Sequence, residues 1–119
     1  DGAGGFKPLS IQQSGIYIPG NGKALVKLQS SAGNYLVAAS QNKDVLKLYE
    51  LKRKTGSIRV APDDVGAVIR FKNGKTQKEE FYYGDSFLSQ SARFINVDSN
   101  MLNITITDSK GKTRTVNLP

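Results

Sequence analysis

Two adjacent tyrosines, a carboxylate and a carboxamide stand close together in the second half of the chain. Tyr82 and Tyr83 precede Gly84, Asp85 follows it, and Gln90 comes a few residues later. Aromatic rings beside carboxylate and amide groups are typical of surfaces that stack against sugars or hold peptides. Aromatic side chains on strands also pack against cross-strand neighbours, which is the plainer interpretation. We take Tyr82, Tyr83, Asp85 and Gln90 as the candidate ligand-binding residues.

The serines of the same stretch offer hydroxyl groups without a means of activating them. Ser86, Ser89 and Ser91 would need a neighbouring base, and the sequence contains no histidine and no Gly-x-Ser-x-Gly motif. A pair of carboxylates such as Asp63 and Asp85 would suit a glycosidase, which needs two such groups across a cleft. Nothing in the sequence places that pair together, and the Pro-Asp-Asp stretch around Asp63 is typical of a turn. We therefore predict no catalytic residues and no enzymatic activity.

The residue types that bind metals most often are missing. The chain has no cysteine and no histidine, which excludes disulfides, thiolate sites and imidazole ligands. The turn at Pro19-Gly20-Asn21-Gly22 contains no carboxylate, whereas calcium takes six to eight oxygen ligands that usually include several carboxylates. We expect neither a metal site nor a cofactor.

The chain is strongly basic, with a net charge of +7 and a pI near 9.7. Lysine and arginine are spread along it, and the densest run is Lys52-Arg53-Lys54. A small basic β-barrel that binds single-stranded nucleic acid is therefore the alternative function. Because the aromatic residues are not interleaved with basic ones on one strand face, nucleic acid is the less favoured partner. No segment reaches the roughly 20 apolar residues of a transmembrane helix.

Short alternating segments separated by turn residues predict an all-β chain of antiparallel strands that form a sandwich or a barrel-like unit. In the first half, residues 24–28, 35–39 and 45–51 form a meander that resembles a propeller blade, with 35–39 as its central strand. We expect Leu46 and Leu48 to point to the core and Lys47 away from it. Residues 6–9 read as a short edge strand.

In the second half, apolar alternation predicts strands near residues 57–60, 66–72, 93–97, 102–107 and 113–118. The Lys72-Asn73-Gly74 stretch is typical of a three-residue hairpin loop with Gly74 in a left-handed conformation. That loop length would place Phe81 on the same face as Phe71, whereas a two-residue loop would separate them. We also expect Phe87 and Leu88 to be buried.

Three features resemble one family of exported proteins. Val65-Gly66-Ala67-Val68-Ile69, then Phe87-Leu88-Ser89-Gln90-Ser91, then a β-rich tail, are similar in order to the ASPIC/UnbV domain. Residues 14–42, preceded by Gly4-Gly5-Phe6, are similar to a degenerate last FG-GAP or VCBS repeat. The closing Trp-Pro-Ser-Gly of the family is absent, and residues 108–112 stand near that place without any tryptophan.

The resemblance implies two units, a repeat end over residues 1–54 and an ASPIC/UnbV-like domain over 55–119. It implies a non-catalytic C-terminal module of a secreted, periplasmic or cell-surface protein, which caps an array of repeats and binds a glycan or a protein. The calcium loop of such repeats would correspond to the acid-free turn at residues 19–22, so we expect its metal to be lost. The natural partners would be the upstream repeats of the same protein.

The predicted blade has apolar residues on both faces of its central strand, at residues 35–39. In a repeat array one of those faces would pack on the preceding repeat. For the separate chain we expect either close packing between the two halves or a homodimer through the first half.

Overall fold

The computed structural model describes residues 5–52, 55–84 and 90–119, and within them the chain is all-β with antiparallel sheets, as predicted. Nine strands and one short helix are present in these ranges, and the strands form three separate sheets with no closed barrel. The expected domain boundary between residues 54 and 55 falls in the segment that joins the third strand to the fourth.

The first sheet is a three-stranded meander in the order β1-β2-β3. Its strands are β1 (Gly22–Gln29), β2 (Tyr35–Gln41) and β3 (Lys47–Glu50). The β1–β2 turn is closed by hydrogen bonds between Ser30 and Asn34, with Gly33 at a φ of 83°. The prediction that residues 35–39 form the central strand is confirmed.

The predicted orientation of β3 is wrong. Leu46 and Leu48 are 66% and 58% exposed, whereas Lys47 and Tyr49 are half-buried. The register pairs Val37 with Tyr49, so Tyr49 shares the sheet face that the N-terminal segment covers. Alternation alone shows that two faces differ, but it does not show which face a distant segment will cover.

The N-terminal segment is also different from the prediction, since residues 6–9 form no strand. Instead α1 (Ile11–Ser14) makes a single helical turn. Ser10 and Gln13 exchange hydrogen bonds as a capping box, and Gly15 ends the turn at a φ of 70°. This local Ser-x-x-Gln pattern stabilises the helical turn, and Phe6, before it, is 99% exposed.

The second half contains a four-stranded sheet in the order β6-β5-β8-β9 and a two-stranded sheet of β4 and β7. The strands are β4 (Gly56–Arg59), β5 (Asp64–Phe71), β6 (Thr76–Glu80), β7 (Phe94–Val97), β8 (Met101–Asp108) and β9 (Thr113–Asn117). The larger sheet is two hairpins joined by pairing of β5 with β8, rather than four consecutive strands. Sequence alternation does not reveal this long-range pairing.

The predicted three-residue hairpin loop is confirmed. Phe71 N–H donates to Lys75 O across the loop at 2.9 Å, and Gly74 lies at a φ of 82°. As a result, Phe71 and Phe81 both pack against the same core cluster. After edge strand β6, Phe81 therefore packs against the core, and Tyr82 and Tyr83 are exposed at the surface.

The hydrophobic core lies between the four-stranded sheet and the β4–β7 pair. Its buried members are Val60, Ala67, Ile69, Ile95, Ile104 and Ile106, with partly buried Ile58, Phe71, Phe81, Val97, Met101 and Leu118 packed against them. All six buried members belong to residues 60–106. In the described part of the first half, the buried hydrophobic side chains are only Ala38 and Ala39.

The two halves meet along the free edge of β1. Lys27 O accepts a hydrogen bond from Ala92 N–H at 2.8 Å, and Lys27 Nζ donates to Phe94 O at 3.1 Å. The ring of Phe94 packs edge-to-face against Tyr35 with 5.7 Å between centroids. The halves therefore touch at an edge, and the chain measures 45 × 30 × 29 Å.

Candidate ligand-binding site

The carboxamide of Gln90 closes the turn that follows Phe81. Its Oε1 accepts a hydrogen bond from Gly84 N–H, and its Nε2 donates to Tyr82 O at 3.5 Å and Ser91 O at 3.0 Å. The structure thus brings Gln90 to the tyrosine pair, as a residue that shapes the turn. Asp85, like Phe87 and Leu88, lies outside the described residues.

Tyr83 is exposed but held in place. Its side chain is 65% exposed, and its hydroxyl donates to Pro62 O at 2.7 Å. The guanidinium of Arg93 lies 4.3 Å from the ring centroid, at cation–π distance. Tyr83 therefore anchors the turn to the loop before β5.

Arg93 ties together the two segments on either side of this turn. Its Nη2 donates to Ala61 O at 3.1 Å and to Asp64 O at 2.6 Å, and its Cζ lies 6.0 Å from the ring centroid of Phe81. Its Nε and Nη1 are buried and make no hydrogen bond within the described chain. The guanidinium of Arg93 therefore binds groups of the protein itself and has a structural role.

Tyr82 has a different environment from Tyr83, because its ring borders a groove. The ring is 62% exposed, and the groove, of about 390 Å³, lies on the outer face of the four-stranded sheet. The lining residues are Val65, Gly66, Ala67, Val68, Lys78, Glu80, Tyr82 and Thr107. This volume is within the usual range for small-molecule sites.

The groove exists because Gly66 has no side chain. Gly66 pairs with Glu80 on β6 and with Thr107 on β8, so it stands between them on the outer face. A Cβ added at Gly66 would lie 3.1 Å from Glu79 O. The backbone of β6 thus approaches β5 closely at this point, and the missing side chain leaves a depression beside Tyr82.

The charged residues at the groove neutralise each other. Lys78 Nζ lies 3.1 Å from Glu80 Oε1, and the two side chains are 72% and 45% exposed. An exposed pair of this kind contributes roughly 0–1 kcal/mol to stability. Both groups remain available to donate and accept hydrogen bonds to a ligand.

Hydroxyl-bearing side chains continue the polar surface away from Tyr82. Thr105 pairs with Thr115, and Thr107 pairs with Thr113, so four threonines occupy adjacent positions on β8 and β9. Thr105 Oγ1 and Thr115 Oγ1 are 3.0 Å apart. The outer face therefore has an aromatic ring at its β6 edge and two rows of threonine hydroxyls on β8 and β9.

The buried carboxylate of Asp64 has a structural role. Asp64 is 1% exposed, both of its carboxylate oxygens bind the guanidinium of Arg114, and one also accepts from Ala61 N–H at 2.6 Å. The hydrogen bonds from Arg114 lower the pKa of Asp64 below its ordinary value. Asp64 therefore stays ionised, which does not suit a general acid, and its neighbour Asp63 is exposed.

Carboxylates also fail to gather near the acid-free turn at residues 19–22. Gly20 N–H donates to Gln41 Oε1 at 2.6 Å, and Asp44 is the acidic side chain beside Gly20. Across residues 5–52, 55–84 and 90–119, no three metal-ligating side chains form a group. No helix in those ranges is both long and apolar enough to cross a membrane.

A second cavity of about 390 Å³ lies between the N-terminal segment and the first sheet. Tyr35, Val37 and Tyr49 line it from the sheet. The hydroxyl of Tyr49 exchanges hydrogen bonds with the backbone of Tyr17, which fixes the segment over the cavity. Burial, followed by the nearby charge of Glu79, raises the pKa of Tyr35 above its ordinary value.

Sequence reasoning found Tyr82 but missed Gly66, Lys78, Glu80 and Thr107. The alternation of Thr105 and Thr107 with isoleucines was a usable signal, because it marked one wet face of a strand. The missing information was the pairing of β5 with β8, which brings residues 66 and 107 together across 41 positions of sequence.

Comparisons of the chain with protein-family models, with curated proteins and with solved structures gave no match.

Proposed function

We propose that this chain is a non-catalytic binding module that recognises a glycan through the groove beside Tyr82. The observation that carries the proposal is the ring of Tyr82, 62% exposed and bordering a groove with a polar rim. The faces of a pyranose ring carry C–H groups that suit an aromatic ring, and its hydroxyls suit Lys78, Glu80 and Thr107. Tyr83, Arg93 and Gln90 hold the turn that presents Tyr82.

The resemblance to ASPIC/UnbV domains suggests where such a binding module would act. In that context the chain is the C-terminal module of a secreted, periplasmic or cell-surface protein, and binding a glycan suits such a location. The family-like stretch at residues 65–69 supports this interpretation, because it forms most of β5 and supplies Gly66 and Val68 to the groove.

The test is a binding screen with a matched pair of variants. Affinity electrophoresis through gels that contain soluble polysaccharides would be run for the wild type, Tyr82→Ala and Tyr17→Ala. Tyr17 is 55% exposed on the first half, so it controls for loss of an exposed tyrosine. We expect one or more polysaccharides to retard the wild type and Tyr17→Ala, and Tyr82→Ala to migrate freely.

Retardation of all three proteins alike would place the site elsewhere, and no retardation by any polysaccharide would refute glycan binding. Saturable binding of a single-stranded oligonucleotide, weakening steeply with salt and lost in Tyr82→Ala, would support the alternative function instead.

A second function, covering the end of a stack of β repeats, is favoured by the first sheet. Leu46 and Leu48 are 66% and 58% exposed, and Leu48 lies on the sheet face that the N-terminal segment leaves open. The sheet buries two alanines as its hydrophobic core. Repeat arrays end in apolar faces that a terminal unit must cover. We expect hydrogen exchange at β3 to slow at least tenfold when the repeats that this proposal places upstream are joined to the chain, and unchanged exchange would oppose this function.

A further inference from the structure

The four-stranded sheet carries a polar array that extends well beyond the groove. The register places Glu80, Gly66, Thr107 and Thr113 in one row across the strands, and Lys78, Val68, Thr105 and Thr115 in the next row. In these two rows six of the eight residues have polar side chains, and the other two, Gly66 and Val68, form the floor of the groove. The rows run perpendicular to the strands and begin beside Tyr82.

We propose that the site is a linear track that takes about three sugar rings of a neutral polysaccharide, laid across the strands from β6 to β9. This inference rests on the proposed function and specifies its ligand. Neighbouring strands lie about 4.8 Å apart, so four strands span roughly 14 Å, about the length of three linked pyranose rings. A single sugar would use only the β6 end of this surface.

The order of groups along the track defines three subsites. The first sugar stacks beside Tyr82 and reaches Glu80. The second lies over the depression at Gly66, where a side chain would otherwise block the path, and reaches Thr107. The third lies over β9, where Thr113 and Thr115 are exposed and offer hydroxyls.

The charges favour a neutral ligand over an acidic one. Lys78 and Glu80 are paired at 3.1 Å, so the start of the track carries no net charge. The rest of the two rows contains hydroxyls, a valine and a glycine. An anionic chain would find no unpaired cation in either row, because the guanidinium of Arg70 belongs to the next row, opposite Thr76 and Asn103.

The track also has room at both ends, so it can accept internal segments of a long chain. Tyr82 is exposed at the β6 edge, and Thr113 is exposed at the β9 edge. A site that recognises only chain ends needs a wall at one end, whereas the side chains at both ends of this track are exposed.

Titration calorimetry with defined oligosaccharides tests the length of the track. The probes are neutral oligomers of glucose, mannose, xylose and N-acetylglucosamine with one to six residues, and uronic acid oligomers of equal length. The proteins are the wild type, the double variant Thr113→Val/Thr115→Val, and Thr76→Val as a matched control on the same face. Valine keeps the β-branched shape, so folding should be retained.

For one neutral series we expect the affinity of the wild type to rise tenfold or more from one to three residues and to level off thereafter. Thr113→Val/Thr115→Val should lose three- to tenfold on the trimer while its affinity for the dimer is unchanged. Thr76→Val should match the wild type throughout.

Equal affinity for monomer and trimer, or a double variant that matches the wild type on the trimer, would overturn the track and leave the Tyr82 site intact. Preference for uronic acid oligomers would overturn the proposal that the ligand is neutral. Absence of binding to every probe in the calorimeter and in the polysaccharide screen would overturn the track together with the proposed function.

Discussion

The guanidinium of Arg93 lies 4.3 Å from the ring centroid of Tyr83, and both side chains reach back to the loop before β5. Arg93 binds the carbonyls of Ala61 and Asp64, and the hydroxyl of Tyr83 binds the carbonyl of Pro62. The two side chains thereby bind the backbone at Ala61 and Pro62 in the loop and at Asp64, the first residue of β5. The backbone next to Tyr82 is thereby attached to the start of β5 through Tyr83 and Arg93.

Replacing Arg93 should therefore cost more stability than replacing an exposed arginine. Arg93→Met keeps the aliphatic stem but removes two charge-assisted hydrogen bonds and the stacking on Tyr83, for a loss of about 2–4 kcal/mol. Arg59→Met, at an exposed position on β4, should change stability by less than about 0.5 kcal/mol. Urea unfolding followed by far-UV circular dichroism measures both. Equal midpoints for the two variants would show that the Arg93 contacts contribute little.

The buried position of Ile104 predicts a large packing loss. Ile104 is 0% exposed at the centre of the core cluster, so Ile104→Ala should cost roughly 2–5 kcal/mol. Leu102 lies on the same strand and is 47% exposed, so Leu102→Ala should cost far less. Thermal unfolding of the two variants and the wild type gives the comparison. A smaller loss for Ile104→Ala than for Leu102→Ala would contradict the central position of Ile104 in the core.

Alternation correctly predicts that Ile104 and Ile106 are buried, but the same kind of pattern fails in the first sheet. The isoleucines alternate with polar residues over a long strand, so the buried face follows from side-chain geometry alone. Leu46 and Leu48 alternate as clearly, yet they are exposed, because the N-terminal segment covers the other face of the sheet. The face that a distant segment covers is set by tertiary contacts, which the local sequence pattern does not predict.

The candidate site shows the same division between local and long-range information. The aromatic pair at Tyr82 and the loop at Gly74 follow from residue type and turn chemistry, which act over a few positions. The role of Gln90 as a turn-closing group and the groove at Gly66 depend on contacts between segments far apart in sequence. The sequence therefore predicts the exposed ring, but the groove beside it depends on the pairing of the strands.

Because Gly74 has a left-handed conformation, we expect a substitution there to destabilise the fold even though there is space for a side chain. Nothing lies within 4 Å of a Cβ added at Gly74, so the penalty of Gly74→Ala comes from its φ of 82° alone. We expect a loss of about 1–2 kcal/mol for Gly74→Ala and a smaller loss for Gly74→Asn, because asparagine tolerates this region better. Urea denaturation distinguishes the two. If alanine and asparagine were tolerated equally, the loop would have another conformation in solution.

The ion pair of Asp64 and Arg114 predicts a dependence of stability on pH. Because Arg114 lowers the pKa of Asp64 in the folded chain, the carboxylate stabilises the fold above the ordinary aspartate pKa of about 3.9. That contribution is lost as the pH falls through the lower folded value. Asp64→Ala should cost about 2–4 kcal/mol at neutral pH, because it leaves Arg114 and Ala61 N–H without their acceptor.

The difference between Asp64→Ala and the wild type should shrink as the pH falls below the ordinary aspartate pKa of about 3.9 and through the lower folded value, since the wild-type carboxylate then becomes protonated. Asp63→Ala is the neighbouring control and should change stability little at any pH, because Asp63 is exposed. Urea unfolding at a series of pH values gives both curves. A difference for Asp64→Ala that stays constant across this range would show that the carboxylate charge is not what stabilises the fold.

The exposed leucines of the first sheet predict association of the separate chain. Leu46 and Leu48 are 66% and 58% exposed beside Val45, which is 63% exposed, and contiguous apolar patches favour contact between molecules. The net charge of +7 opposes association mainly at low salt, because screening shortens its range to about 10 Å at 0.1 M and about 3 Å at 1 M. Sedimentation velocity at low and high salt should show a monomer that shifts towards a dimer as salt rises. Leu46→Ser/Leu48→Ser should abolish the shift and Leu102→Ser should retain it, and a wild type that stays monomeric at both salt concentrations would show that the first sheet does not drive self-association.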